Sequence, residues 1–144
     1  MIERGGEVRF FHIPDGKKTS IQPILDRWIN SNTKRIMTDE ASVYPFALDK
    51  KWIRKHRTVN HSKEYVVPGT DVHTNSIESA FSLLKRGLIG SFHFVSIKHL
   101  HRYLSEFEHR FNGRKDPELF QRTLRQMLQT IPMEYKQLTA EPSV

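Results

Sequence analysis

Apolar residues recur at Ile21, Ile24, Leu25, Trp28 and Ile29, the i, i+3, i+4, i+7, i+8 stripe of an amphipathic helix with one face towards a core. Thr19 or Ser20 is placed to cap this helix, and Pro23 falls in its first turn, where a missing N–H is tolerated. Before it, Glu7 to Ile13 is rich in β-branched and aromatic residues and stops at Pro14, Asp15 and Gly16, the pattern of a strand running into a turn. Met1 and Ile2 with Gly5 and Gly6 read as the tail of an earlier strand and a hairpin turn. After the helix, Lys34 to Asp39 reads as a strand, Ala41 to Leu48 as a short helix crossed by Pro45, and Arg57 to His61 as another strand. Residues 62–74 read as a polar loop.

The second half of the pattern is helical. Ile77, Ala80, Phe81, Leu84 and Leu88 make one stripe and predict a helix over 75–90. Leu100, Tyr103, Leu104, Phe107 and Phe111 make another, predicting a helix over 97–112 that ends at Asn112 and Gly113. A last helix over 117–129 is expected to open with Pro117 at its first position and to carry Leu119, Phe120, Leu124, Met127 and Leu128. The strand-helix-strand order of the first half argues for an α/β layer with a crossover helix. We expect one domain over residues 1–131, followed by a flexible tail over 132–144.

Composition narrows the class. The 144 residues are 37 % apolar and 27 % charged, within the range of a soluble globular domain. No apolar run reaches the ~18 residues of a membrane span. The N-terminus lacks the apolar core of a signal peptide, so a cytoplasmic location is expected. Cysteine is absent, which excludes disulfides and thiolate metal sites. Lys and Arg number 23 against 16 Asp and Glu, a formal charge of +7 that favours a polyanion partner. Lys50, Lys51, Arg54, Lys55 and Arg57 concentrate that charge around Trp52. A solvated helix face has this look, and so does a phosphate-contacting segment.

Two carboxylates stand where chemistry is plausible. Asp39 ends a strand, and Glu78 lies at the start of a helix, a placement that suits a divalent-metal phosphoryl-transfer site. Each also has a plain structural role open to it. A strand-end Asp caps turns, and Asn75 with Glu78 three residues on forms a capping-box pattern. Lys85 follows Glu78 by two helical turns and shares its face, so a carboxylate holding a metal would have an ammonium within reach of a DNA phosphate. The eight histidines include no i, i+4 pair with an intervening Glu, and no Gly-rich phosphate loop or Ser-His-Asp spacing occurs.

The segments Thr38 to Glu40, Thr58 to Ser62, and Val72 to Glu78 continuing through Leu83 to Gly90 resemble the bacterial insertion-sequence DDE transposases of the ISXO-like group. The resemblance covers most of residues 1–114. It implies an RNase H-like α/β core with C-terminal helices, and metal-dependent DNA strand cleavage and transfer in transposition. It further implies Asp39 as the second and Glu78 as the third acidic ligand of Mg2+ or Mn2+, with Lys85 on the DNA. Asn75 is a competing third ligand, because part of the group uses an Asn there. His61 and His73 sit in the resembling segments and are placed to line such a site. The implied partner is double-stranded DNA at transposon ends, met by Lys50, Lys51, Arg54, Lys55, Lys85 and Arg86, with self-association as a further expectation.

One departure matters. A DDE site needs a first Asp on the first strand, and the only upstream carboxylates, Glu3, Glu7 and Asp15, do not stand where that Asp would. The expectation is therefore a partial catalytic domain, incomplete at its N-terminus, that holds Mg2+ weakly if at all. The alternative is a catalytically inactive remnant that binds DNA or a partner subunit.

Overall fold

The stripe from Ile21 to Trp28 forms a helix, α1 (Lys18–Trp28), with Leu25 buried at its centre; Ile29 is already extended, Lys17 rather than Thr19 or Ser20 precedes the helix, and Pro23 lies inside it beyond the first turn. The computed structural model describes residues 1–59 and 74–140. After α1 come β1 (Ile36–Thr38), α2 (Tyr44–Ala47), α3 (Lys50–Ile53), β2 (His56–Thr58) and α4 (Asn75–Gly87). A π-helical turn (Leu88–Phe92) and a 3-10 turn (Ile97–His99) lead into α5 (Leu100–Asn112), α6 (Leu119–Gln129) and α7 (Tyr135–Thr139). The chain divides into two units, one built from Met1–Phe11 and Ala80–Val144, the other from His12–Ser79.

The His12–Ser79 unit is a small α/β layer. β1 and β2 pair in parallel with Ile36 opposite His56, Met37 opposite Arg57 and Thr38 opposite Thr58. Parallel neighbours need a crossover, and α2 and α3 supply it. Leu25, Ala47, Leu48 and Trp52 form the buried cluster, with Ile21, Ile29, Ile36 and Val43 packed against it. Sequence patterning missed α3. Its four residues are too few to show a period, and it forms because Asp49 caps it, its side chain accepting from the Lys51 N–H, while Trp52 is drawn into the core.

In the other unit the expected strand over Glu7 to Ile13 is not a strand. Only an isolated antiparallel bridge, Ile2 to Val8, is present, closed by a turn with Gly5 at φ 74°. Side chains of α5 take the backbone groups a sheet would have used. The Val8 N–H donates to Asn112 Oδ1 at 2.7 Å, and Asn112 Nδ2 donates back to the Val8 carbonyl at 3.1 Å. The Phe10 N–H donates to Glu108 Oε1. Val8 and the Phe10 N–H are therefore satisfied by side chains, while Arg9 exchanges backbone bonds with Met1.

The C-terminal helices appear with shifted ends. The predicted 75–90 helix changes to π geometry at Leu88. The last predicted helix begins at Leu119 rather than Pro117, because Asp116 forms a local turn across the proline. Its carboxylate accepts from the Glu118 N–H and its carbonyl from the Leu119 N–H. Within the expected tail, Tyr135–Thr139 forms a helical turn with a capping box at Glu134. The apolar stripe of α6 faces solvent, with Phe120 75 %, Met127 69 % and Leu128 79 % exposed. Thus α6 is held through its other side, where His109 Nε2 meets Thr123 Oγ1 at 2.8 Å. A complete RNase H-like sheet is not seen among the described residues; the sheet there is the β1–β2 pair. No helix there is long and apolar enough to cross a membrane.

Trp52 is 4 % exposed at the centre of its cluster. Replacing it with Ala should destabilise that unit by about 3–5 kcal/mol through lost transfer and cavity terms. Phe46→Ala, at a site 70 % exposed, should stay within about 0.5 kcal/mol. Urea unfolding followed by circular dichroism measures both.

Candidate active site and nucleic-acid interface

Asp39 directly follows β1, as the sequence suggested. The Val59 N–H donates to the Thr38 carbonyl at 3.0 Å, so parallel pairing runs to the residue before Asp39 and stops there. The Asp39 side chain is exposed and accepts weakly from the Ala41 N–H at 3.4 Å. Its charge is felt by Tyr44, whose phenol is pushed above its ordinary value, chiefly by burial and then by the Asp39 carboxylate.

The strand ends are tied by a polar pair. Thr38 Oγ1 donates to the Asp39 carbonyl at 2.7 Å and meets His56 Nε2 at 2.8 Å. The hydroxyl has one proton, so His56 Nε2–H must be the donor to Thr38. Burial first, and the neighbouring Arg57 second, hold His56 below its usual value.

Glu78 lies in the first turn of α4 and is half-buried. The capping pattern falls one residue earlier than the sequence suggested. Thr74, not Asn75, precedes the helix, and its carbonyl accepts from the Ile77 and Glu78 N–H groups at 3.1 Å. The Thr74 hydroxyl donates to Glu78 Oε1 at 2.9 Å. Asn75 is the exposed first helical residue, while Thr74 is 7 % exposed and polar. Its role was missed because a Thr before an Asn-led helix looks like a spare residue. Lys85 and Arg86 are exposed in the last turn of α4 and make no ion pair among the described residues. His61 and His73 lie outside the described residues.

The basic cluster separates into two kinds of cation. Lys50, Lys51 and Arg54 are exposed on or beside α3, although Lys51 also lies 3.8 Å from Asp49. Lys55 serves the fold: its ammonium donates to the Thr33 carbonyl at 2.8 Å and sits 4.9 Å from the Trp52 ring centre. Arg57 is turned back onto the Arg54 and His56 carbonyls. Among the described residues, no three His, Asp or Glu side chains gather where they could hold a metal ion. Those residues do not fit a complete divalent-metal centre.

The family comparison bears directly on these segments. A family model for the ISXO2-like transposase domain matches residues 1–112, taking in β1, Asp39, α3, α4 and α5. The chain belongs to this family. It is thus an insertion-sequence transposase domain, as the sequence motifs indicated. No curated protein and no solved structure matches the chain. Of the family expectations, Asp39 and Glu78 stand at a strand end and a helix start, both within the His12–Ser79 unit. Sequence reasoning overlooked a phenylalanine–arginine cavity in the other unit. The spacing Phe107, Arg110, Phe111, Arg114 was the signal that could have shown it.

Because folding disfavours protonated His56, its contribution to stability is present above the ordinary histidine range near about pH 6.5 and is lost as pH falls through it. Lowering the pH from neutral to about 5 should reduce the urea midpoint of the His12–Ser79 unit, and His56→Gln should reduce it less. An equal acid loss in the variant would assign the effect to other groups.

Proposed function

We propose that this transposase domain engages DNA in transposition through its exposed basic side chains, with Asp39 and Glu78 as two of its acidic site residues. The observation that carries the DNA reading is the exposure of Lys50, Lys51 and Arg54 around the buried Trp52 in a chain of formal charge +7. Trp52 fixes the segment from below, so the cations are presented on an anchored surface. Sequence-independent binding then follows from phosphate neutralisation and counterion release. On α4, Lys85 and Arg86 offer a second pair of cations. Arg86 is suited to bidentate phosphate contact and Lys85 to a point-charge contact.

Strand cleavage and transfer is the finer part of this reading. Glu78 and Lys85 lie two turns apart on one helix, so an ammonium and a carboxylate share a side of α4. Mg2+ is strongly hydrated and needs several oxygen ligands to replace its water, and Asp39 and Glu78 supply fewer than the family's three acidic ligands. The second reading is a DNA-binding module without cleavage activity. The incomplete acidic set favours it as far as the described residues go.

Gel shifts and fluorescence anisotropy over a salt series check the DNA reading. Binding to an arbitrary duplex should weaken steeply with salt. Lys50→Gln, Lys51→Gln and Arg54→Gln combined should lower the log–log slope by about one for each phosphate no longer neutralised. Lys55 is kept in this variant because it holds Thr33 and Trp52. Unchanged binding by the triple variant would make the α3 surface an inert solvated face.

End-labelled DNA with Mn2+ checks the chemistry. The chain is expected to give little or no cleavage or strand transfer. Robust cleavage that disappears in both Asp39→Ala and Glu78→Ala would instead show that two carboxylates suffice, and the module reading would fall.

A further inference from the structure

The unit formed by Met1–Phe11 and Ala80–Val144 contains a cavity of 440 Å³, and all of its lining residues belong to that unit. Phe10, Phe92, Phe107 and Phe111 supply aromatic walls, and Arg86, Arg110 and Arg114 supply guanidinium groups. Among the described residues no carboxylate lines it. This volume is within the usual range for a small-ligand site, about 300–1,000 Å³. Apolar walls alone would describe a packing void. Three guanidinium groups around them describe a receptor for a flat ring flanked by negatively charged groups.

We propose that this cavity receives an unstacked base of single-stranded DNA, with the flanking phosphates on Arg86 and Arg110. The proposal rests on the DNA reading above and adds a base-contacting site to its phosphate contacts. Bases stack on aromatic rings and on guanidinium planes, and both are present. Arg114 lies over the Phe111 ring at 4.0 Å, held there by donating to the Phe111 carbonyl at 2.6 Å, and so serves as a cation-on-ring platform rather than as a free phosphate contact. Phe92 stands edge-on to Phe107, with ring centres 6.3 Å apart, and to Tyr103 at 4.7 Å. Arg86 and Arg110 are exposed, and Arg110 also bridges Glu106 at 3.5 Å. The Ser91 hydroxyl is the neutral hydrogen-bonding side chain of the lining. It offers one polar contact to a base edge without selecting among bases.

The backbone at this wall is built rather than incidental. A Cβ on Gly87 would collide with the Phe107 ring, so a larger residue there would push that ring from its place in the wall. The chain then passes through the π turn Leu88–Phe92 to His93 at φ 57°, ψ −42°. A positive φ on a residue other than glycine is a strained conformation, and π turns recur at functional sites. This turn is what brings Ser91 and Phe92 to the cavity. A duplex stacks its bases on one another and leaves no ring face free, so the ligand is a single strand.

The test is anisotropy with the full chain and three labelled probes of equal length: an oligothymidylate strand, a strand with abasic sugars in place of its nucleosides, and a duplex. The oligothymidylate should bind about tenfold more tightly than the abasic strand, as expected for the loss of base stacking. Phe92→Leu keeps apolar volume and removes a stacking ring, and should shrink that preference several-fold while leaving duplex binding unchanged. Equal affinity for the two strands, with duplex binding intact, overturns the cavity proposal and leaves the DNA reading standing. An undiminished preference in Phe92→Leu overturns the placement in this cavity. Failure of all three probes to bind overturns both readings.

Discussion

The fold of the unit containing both chain ends depends on how the backbone of Val8 finds its hydrogen-bond partners. Val8 is fully buried, so its N–H and carbonyl cannot turn to water. One side chain, Asn112, meets both, accepting with its oxygen and donating with its nitrogen across 104 residues of sequence. An amide can do this because it presents an acceptor and donors side by side. The arrangement fixes the rotation of α5, since turning the helix would withdraw Asn112 and expose two orphaned backbone groups. It also fixes Phe10, two residues further on, whose N–H is held by Glu108 and whose ring meets Phe81 edge-on at 5.4 Å. The aromatic cavity follows from that constraint, because Phe10 and the inward side of α5 form its walls.

The other unit solves a similar problem with a charge. The Thr33 carbonyl precedes β1, and Lys55 precedes β2. Joining them by an ammonium-to-carbonyl bond clamps the two strand entries together. The Ile36 N–H donates to the Lys55 carbonyl at 3.0 Å, continuing the pairing into the strands. Trp52 lies beneath the ammonium, so its indole serves both the apolar cluster and a cation–ring contact. Three residues per strand make a marginal sheet by themselves. Here the clamp, the tryptophan and the Thr38–His56 pair give it a single register, and that register puts Asp39 at its exposed end.

Elements with long apolar periodicity were legible in the sequence: α1, α4, α5 and α6 each follow from their stripes. Asp39 and Glu78 were legible as a strand end and a helix start, through motifs that the family match over residues 1–112 also covers. What failed did so for physical reasons. Glu7 to Ile13 has strand composition, but strand propensity reports how side chains fit a pleated surface and cannot say whether a neighbouring strand exists. The Asn112 and Glu108 side chains took that place. α3 was invisible because four residues are too few to show a period. Its helix comes from the Asp49 cap and from burial of Trp52, a tertiary effect. The cap of α4 was misplaced by one residue because Thr74 and Asn75 are both good capping residues, and only the hydroxyl bond to Glu78 separates them.

Net charge read from composition overstates what DNA can use. Lys55 is committed to Thr33, Arg57 to two carbonyls, Arg122 to Asp116 and Lys17 to Asp15. Lys50, Arg54, Lys85 and Arg86 are among the cations left in the open, and those of α4 have an inward explanation too. Lys85 and Arg86 in its last turn, with Glu78 in its first, are each favoured by the helix macrodipole by roughly 0.3–1 kcal/mol. That contribution depends on charge sign and on position along the helix, and not on which face the charge occupies. Function depends on the face. Moving the Lys85 charge by one position within the last turn would keep the macrodipole term and carry the ammonium off the side it shares with Glu78. Such a change separates a lysine kept for the helix from one kept for DNA. Counting charges cannot make that distinction, because both readings predict the same sum.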